Sequence, residues 1–210
     1  MSVFIKICGI TSKEQANEIA ALGVNALGFV FATSPRKVSP DEARCIISAM
    51  PPLVSSVGVF VDEQSDTVRD IVDYCGLDFV QLHGSESVDY CKALAPRVIK
   101  AFRIRDEREL QKLPAYEPYV RGFLLDAWST KAMGGTGTTF DWSLAVKAAS
   151  MVNRPVILAG GLTPVNIQDA LVQASPWGVD ASSGLEKEPG YKDMTKVRDF
   201  VASVHRMSMS

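Results

Sequence analysis

Apolar residues along this chain fall into eight short runs, at positions 3–8, 26–31, 54–61, 77–82, 98–102, 120–126, 155–159 and 177–181. Each run has strand length, and most are rich in Val, Ile or Phe, which predicts β-strands. The runs are apolar on both alternating faces, as expected of strands covered on both sides. The stretches between them change period. Ala16, Ile19, Ala20 and Gly23 follow the i, i+3, i+4, i+7 spacing of one helix face, as do Ala43, Ile46, Ile47 and Met50. Val68, Ile71, Val72 and Cys75 repeat it, and so do Trp142, Ala145, Val146 and Ala149. Start signals accompany the helices. Thr11 with Glu14 reads as a capping box, Ser39-Pro40-Asp41-Glu42 adds proline at the first helical position, and Thr163-Pro164 opens the helix after the seventh run. The last helix follows Asp193 and carries Met194, Val197, Val201 and Val204.

Strands alternating with helices imply parallel pairing through helical crossovers. A doubly wound open sheet competes, but it usually has five or six strands, so eight favour a closed (β/α)8 barrel of the TIM type. The 210 residues contain no linker-like stretch, which predicts a single catalytic domain over positions 1–210.

Composition narrows the partners. The formal net charge is -2, without the basic excess that binding a nucleic-acid backbone requires. No apolar run approaches the roughly 20 residues of a membrane span, and the opening apolar run is too short for a signal peptide. A cytoplasmic protein with neither membrane nor nucleic-acid partners is expected, as a monomer or a homo-oligomer. The four cysteines, Cys8, Cys45, Cys75 and Cys91, suggest no disulfide framework, and only His83 and His205 could join a metal set. No metal and no organic cofactor are expected.

In such barrels the chemistry sits at the C-terminal ends of the strands. That rule selects Lys6 to Thr11, Ser34-Pro35-Arg36, Gln81 to Gly84, Asp126 with the glycines at 134, 135 and 137, Gly160-Gly161, and Asp180 to Gly184. Alternation along a strand puts Lys6 and Cys8 on one face and Gln81 and His83 on one face. Polar groups belong toward the barrel mouth rather than the apolar helix layer, so Cys8, Gln81, His83, Asp126 and Asp180 converge on one crevice. Gly160 and Gly161, with Ser182, Ser183 and Gly184, form two glycine-rich turns after strands seven and eight. Backbone N–H groups there can approach an anion closely, and the serines add hydroxyl donors. Taken singly, each residue has a structural reading. Cys8 could be a small buried hydrophobe, the aspartates strand-end caps, Arg36 a solvated loop charge, and His83 a helix cap. The other three cysteines lie on or beside helix faces and read as packing residues. Convergence at one end of one barrel is what favours function.

These motifs together resemble the phosphoribosylanthranilate isomerase family of tryptophan biosynthesis. The resemblance rests on Lys6-Ile7-Cys8-Gly9-Ile10-Thr11, Gly28-Phe29-Val30-Phe31 with Ser34-Pro35-Arg36, Val57-Gly58-Val59-Phe60, Gln81-Leu82-His83-Gly84 and Leu125-Asp126. It continues through Gly134-Gly135-Thr136-Gly137 with Phe140-Asp141-Trp142, Leu158-Ala159-Gly160-Gly161-Leu162, and Val179-Asp180 to Leu185-Glu186. It spans nearly the whole chain in order. It implies an Amadori rearrangement of N-(5-phosphoribosyl)anthranilate, an aminoaldose, to the 1-deoxyribulose phosphate aminoketose. Asp126 is then the general acid that opens the furanose, Cys8 the general base at C2 and Arg36 the anthranilate ligand. Gln81, His83 and Asp180 join the substrate site, while Gly160, Gly161, Ser182, Ser183 and Gly184 hold the phosphate. The chemistry suits the residues: an imine acidifies the adjacent C–H without a Lewis acid, and positive charge from Lys6 can favour a Cys8 thiolate. Burial of Asp126 would keep its proton in place.

Rival readings fit less well. A metal-dependent pentose-phosphate epimerase needs several inward His and Asp ligands. The related indoleglycerol-phosphate synthase needs a lysine-rich mouth and an extra N-terminal segment. A non-catalytic phosphometabolite-binding barrel leaves the pairing of Cys8 with Asp126 without purpose.

Overall fold

The computed structural model describes residues 3–127 and 142–208. Eight parallel strands close into a barrel in chain order: β1 (Phe4–Cys8), β2 (Ala26–Val30), β3 (Ser55–Phe60), β4 (Phe79–Leu82), β5 (Val98–Ile104), β6 (Gly122–Ala127), β7 (Val156–Ala159) and β8 (Gly178–Ala181). All eight lie within a few residues of the apolar runs, which confirms the TIM-barrel expectation. Alternation sorts the side chains. Ile5 and Ile7 of β1 are buried against the helix layer, as are Phe29, Phe60 and Phe123. Val57, Ile99, Ala101, Leu124, Ile157 and Ala159 fill the barrel interior beneath its mouth. Closure places Lys6 beside Asp180 across the β1–β8 seam and Arg103 beside Asp126 across β5–β6.

The helices are α1 (Lys13–Ala20), α2 (Pro40–Ile47), α3 (Ser65–Cys75), α4 (Val88–Leu94), α5 (Glu107–Leu110), α6 (Leu113–Tyr116), α7 (Ser143–Met151), α8 (Ile167–Ala174) and α9 (Met194–Ser208). The Ser39 capping box forms as expected, with Glu42 reaching back to the Ser39 amide. Three start signals or helices differ from expectation. The cap of α1 is Ser12, whose hydroxyl accepts from the Gln15 amide. Thr11 instead donates to the Gly190 carbonyl at 2.7 Å, a tertiary tie across the chain. Thr163-Pro164 forms a capping turn, and α8 begins only at Ile167. Between β5 and β6 one helix is replaced by α5, α6 and a 3-10 turn at Glu117–Tyr119, because Pro114 and Pro118 interrupt the helical hydrogen-bond ladder. Cys75 and Cys91 are buried on their helix faces, but Cys45 is exposed, so the packing expectation fails for that residue.

The expectation that polar groups avoid the helix layer also needs correction at Lys100. Its side chain on β5 is buried between sheet and helices, with Nζ 3.0 Å from Glu86 Oε2. The ammonium also donates to the carbonyls of Leu82, Gly84 and Ala101. Glu86 accepts in turn from the amides of Asp62 and Gly84. Such a pair survives burial only because nearly every donor and acceptor is satisfied. It fastens together the loops after β3 and β4, immediately beneath His83.

Candidate active site

A cleft of about 530 Å³ opens at the C-terminal ends of the strands. All the sequence-predicted residues line it: Cys8, Arg36, Gln81, His83, Asp126, Gly160, Gly161, Asp180, Ser182, Ser183 and Gly184. The glycine-rich stretch at 134–137, with Phe140 and Asp141, lies outside the described residues. A second cavity of about 300 Å³ at the opposite end of the barrel is lined chiefly by apolar side chains such as Phe4, Phe79 and Trp177. The convergent acids, bases and cations belong to the first. Among the described residues, no group of His, Cys, Asp and Glu is arranged to hold a metal.

Cys8 ends β1 with its thiol against Gly28 of β2. A Cβ at Gly28 would lie 2.7 Å from Cys8 Sγ, so the missing side chain is what makes room for the thiol. Burial pushes the Cys8 thiol above its ordinary pKa, Lys6 and Lys192 draw it down, and Asp180 adds to the rise. Lys6 therefore acts as the sequence suggests, but burial outweighs it in the ligand-free protein. Lys6 Nζ lies 2.9 Å from Asp180 Oδ2, both groups being buried. The ion pair engages only one carboxylate oxygen, and the buried Asp180 Oδ1 is left without a hydrogen-bond partner among the described residues. Burial works to lower the Lys6 pKa, but the facing Asp180 and Cys8 charges outweigh it and hold the ammonium above its usual value.

Asp126, at the end of β6, is 29% exposed, so it is less buried than the sequence leads one to expect. A hydrogen-bonded chain positions its carboxyl. Gln81 Nε2 lies 3.1 Å from His83 Nδ1, and His83 Nε2 lies 3.1 Å from Asp126 Oδ2. In this arrangement His83 carries its proton on Nε2 and donates to a carboxylate. Gln81 Oε1, buried, is left without a partner. The chain of contacts fixes the position of the Asp126 carboxyl at the mouth.

The two glycine-rich turns face each other. Gly160 and Gly161 both have positive φ, at 85° and 65°, a conformation that strains any residue with a Cβ. Nothing lies near the position a Gly161 Cβ would take, so the backbone there faces open space. Gly184, in the 3-10 turn Ser183–Leu185, has no such freedom. A Cβ there would fall 2.1 Å from the Leu162 carbonyl oxygen, so close loop-on-loop packing requires glycine. Ser182 donates its hydroxyl to the Cys8 carbonyl at 3.0 Å rather than leaving it for an anion.

Arg36 crosses the end of β1 above Gly9, whose φ is 81° and whose Cβ would meet Arg36 Cδ at 2.6 Å. Its guanidinium is gripped by Glu186, with Nε to Oε1 at 2.8 Å and Nη2 to Oε2 at 2.6 Å. Lys192 donates to the same Oε1 at 2.8 Å. These cations outweigh the effect of burial and hold the Glu186 carboxyl below its ordinary pKa. Glu186 and Lys192 sit on a two-stranded antiparallel pair, β9 (Glu186–Glu188) and β10 (Tyr191–Lys192), that follows β8. Neither was singled out for a role in the sequence, nor was Arg103, which also lines the cleft. For Glu186 the available signal was its place immediately after the glycine-serine motif.

The family model described as N-(5'phosphoribosyl)anthranilate (PRA) isomerase matches residues 5–203. An N-(5'-phosphoribosyl)anthranilate isomerase of Pelobacter propionicus is 49% identical over 198 residues, covering 94% of this chain and 93% of the relative. The crystal structure of phosphoribosyl anthranilate isomerase from Thermotoga maritima superposes with a TM-score of 0.89 at 40% identity, covering 97% of this chain and 99% of that one. A crystal structure of such an isomerase in complex with reduced 1-(o-carboxyphenylamino)-1-deoxyribulose 5-phosphate gives a TM-score of 0.87 at 37% identity, covering 97% and 99%.

Proposed function

The chain belongs to the N-(5'-phosphoribosyl)anthranilate isomerase family, and we propose that it performs the family's aldose–ketose isomerisation in tryptophan biosynthesis with Asp126 as general acid and Cys8 as general base. Asp126 protonates the ring oxygen, the C1–O bond breaks, and a protonated imine forms at C1. That positive charge favours a thiolate at Cys8, offsetting the burial that raises the thiol in the free protein. Cys8 then takes the proton from C2, giving an enolamine. Loss of the proton on O2 and uptake of one at C1 complete the aminoketose, with no net gain or loss of atoms. Asp126 takes the proton that leaves O2 and Cys8 gives its proton to C1, so both groups return to their starting states, while His83 and Gln81 hold the Asp126 carboxyl in position. Arg36 holds the anthranilate carboxylate. Because Glu186 occupies its Nε–Nη2 edge, the substrate meets the remaining N–H groups. The phosphate lies between the Gly160-Gly161 and Ser182–Ser183–Gly184 turns, donors being the backbone amides, and Asp180 orients Lys6 beside the reacting carbons. The cytoplasm is the compartment in which four unpaired cysteines stay reduced.

The observation that carries this reading is the meeting of Cys8, Asp126, Arg36 and both glycine-rich turns in one cleft. Phosphoribosylanthranilate is fluorescent, so mixing it with the purified protein should give an enzyme-dependent loss of fluorescence and an aminoketose product. No turnover by a folded protein would overturn the assignment.

A further inference from the structure

Glu186 is an acid buried behind Arg36, at a site whose proposed ligand is itself anionic. Its side chain is 4% exposed, and that of Lys192 is fully buried. Arg36 is 21% exposed and reaches the cleft. A carboxylate so deeply buried interacts strongly with its neighbours, because little water screens it. Two cations and one carboxylate leave one net positive charge in this cluster. Lys196 caps the Glu186 main-chain carbonyl, but it is exposed and its charge is screened by solvent.

We propose that Glu186 is a specificity-determining residue: by sharing Arg36 and Lys192 it limits the aryl end of the site to one compensating charge, matching a monoanionic aromatic carboxylate and disfavouring a dianionic group such as a second phosphate. The inference rests on the reading of Arg36 as the carboxylate ligand. Three features support it. The bidentate contact holds the guanidinium by its side-on edge, so the edge left for the ligand is fixed in direction. Lys192 approaches the same carboxylate from the other side, so the two cations and Glu186 form a unit whose charge is set by the number of acids within it. The turn of the β9–β10 pair is anchored to the β1–α1 loop, through Thr11 and Gln15 to the Gly190 carbonyl, so the unit is held in register with the site.

The test uses three inhibitors: the reduced aminoketose phosphate bearing an ortho-carboxylate, its ortho-phosphonate counterpart, and the unsubstituted phenyl compound. Their Kd values are measured by calorimetry at mildly alkaline pH, where the phosphonate is dianionic. Glu186→Gln should shift the phosphonate-to-carboxylate preference by about tenfold toward the phosphonate. Lys192→Met should shift it a similar factor the other way, which keeps the test decisive if one variant fails to fold. Equal tightening of both anionic ligands in Glu186→Gln would make Glu186 a mere competitor, and equal loosening would make it a brace for Arg36. Either result, or no change, overturns the proposal. Arg36→Met should bring both anionic ligands to the affinity of the phenyl compound. If the carboxylate ligand loses nothing in Arg36→Met, the reading of Arg36 itself fails, an outcome distinct from an unaltered ratio in Glu186→Gln with Arg36 intact.

Discussion

Gly28→Ala tests the position of the base without touching it. The new Cβ would stand 2.7 Å from Cys8 Sγ, 3.1 Å from Cys8 Cα and 3.2 Å from Cys8 Cβ. Comfortable contacts of this kind lie near 3.5–4.0 Å, so the thiol must move by about 1 Å. A misplacement of about 1 Å of a reacting group costs on the order of 10²-fold in rate. Overpacking at a buried strand costs about 1–3 kcal/mol, which for a chain of this size lowers Tm by roughly 2–12 °C. The expected outcome is therefore a folded enzyme with kcat down about 10²-fold and KM nearly unchanged, since Gly28 contacts the base and not the binding groups. Fluorescence-monitored turnover and a thermal melt read both quantities. The double variant Gly28→Ala with Cys8→Ala sharpens the test. Removing Sγ relieves the closest contact, so the second substitution should cost less stability than in the native background, and kcat of the double variant should fall no lower than that of Cys8→Ala alone. A Gly28→Ala enzyme that keeps kcat within about twofold while its Tm falls would show that the Cys8 thiol is not at the reacting position.

Cys8→Ala and Asp126→Asn should each lower kcat by at least about 10²–10⁴-fold with little change in KM, measured by steady-state turnover. The pH profile of kcat/KM, which reports the free enzyme, follows the raised thiol: it should climb with pH to a midpoint above the ordinary thiol value, and Cys8→Ala should remove that limb. The same shift acts on stability with the opposite sign. A thiol whose pKa rises on folding contributes stability below the unfolded value, and that contribution is lost as pH climbs through the folded one, so melts should weaken on the alkaline side. Alkylation experiments need a Cys45→Ser background, because Cys45 is exposed, whereas Cys91, pushed up to about 11, should stay unmodified. Lys100→Met should cost about 3–5 kcal/mol in denaturant unfolding by leaving Glu86 buried without its cation, and Lys100→Met with Glu86→Leu should cost less than the single change. Gly184→Ala, with its Cβ 2.1 Å from the Leu162 carbonyl oxygen, should separate the two glycine-rich turns and raise KM more than it lowers kcat.

The period of apolar residues along the chain was enough to specify eight strands and most of the helices between them, though not the broken connection after β5, because a strand buried on both faces and an amphipathic helix each record their surroundings in local spacing. From the strand ends alone, Cys8, Arg36, Gln81, His83, Asp126, Asp180 and the two glycine-rich turns could be placed at one mouth, since a closed parallel barrel sends every C-terminal strand end the same way. What the spacing could not carry was who meets whom inside that mouth. Arg36 and Glu186 stand 150 positions apart and become partners only when β8 closes against β1 and the β9–β10 pair folds back over the seam. The glycine at position 28 shows its purpose only once register sets it beside Cys8. Lys100 broke the rule that polar groups seek the mouth, because Glu86 and three carbonyls reach it in the helix layer, and a local pattern scores a residue's own polarity and not the partners that satisfy it. The cap of α1 moved from Thr11 to Ser12 for a related reason: the Thr11 hydroxyl found the Gly190 carbonyl, 179 positions away, and only the tertiary fold brings that acceptor within reach.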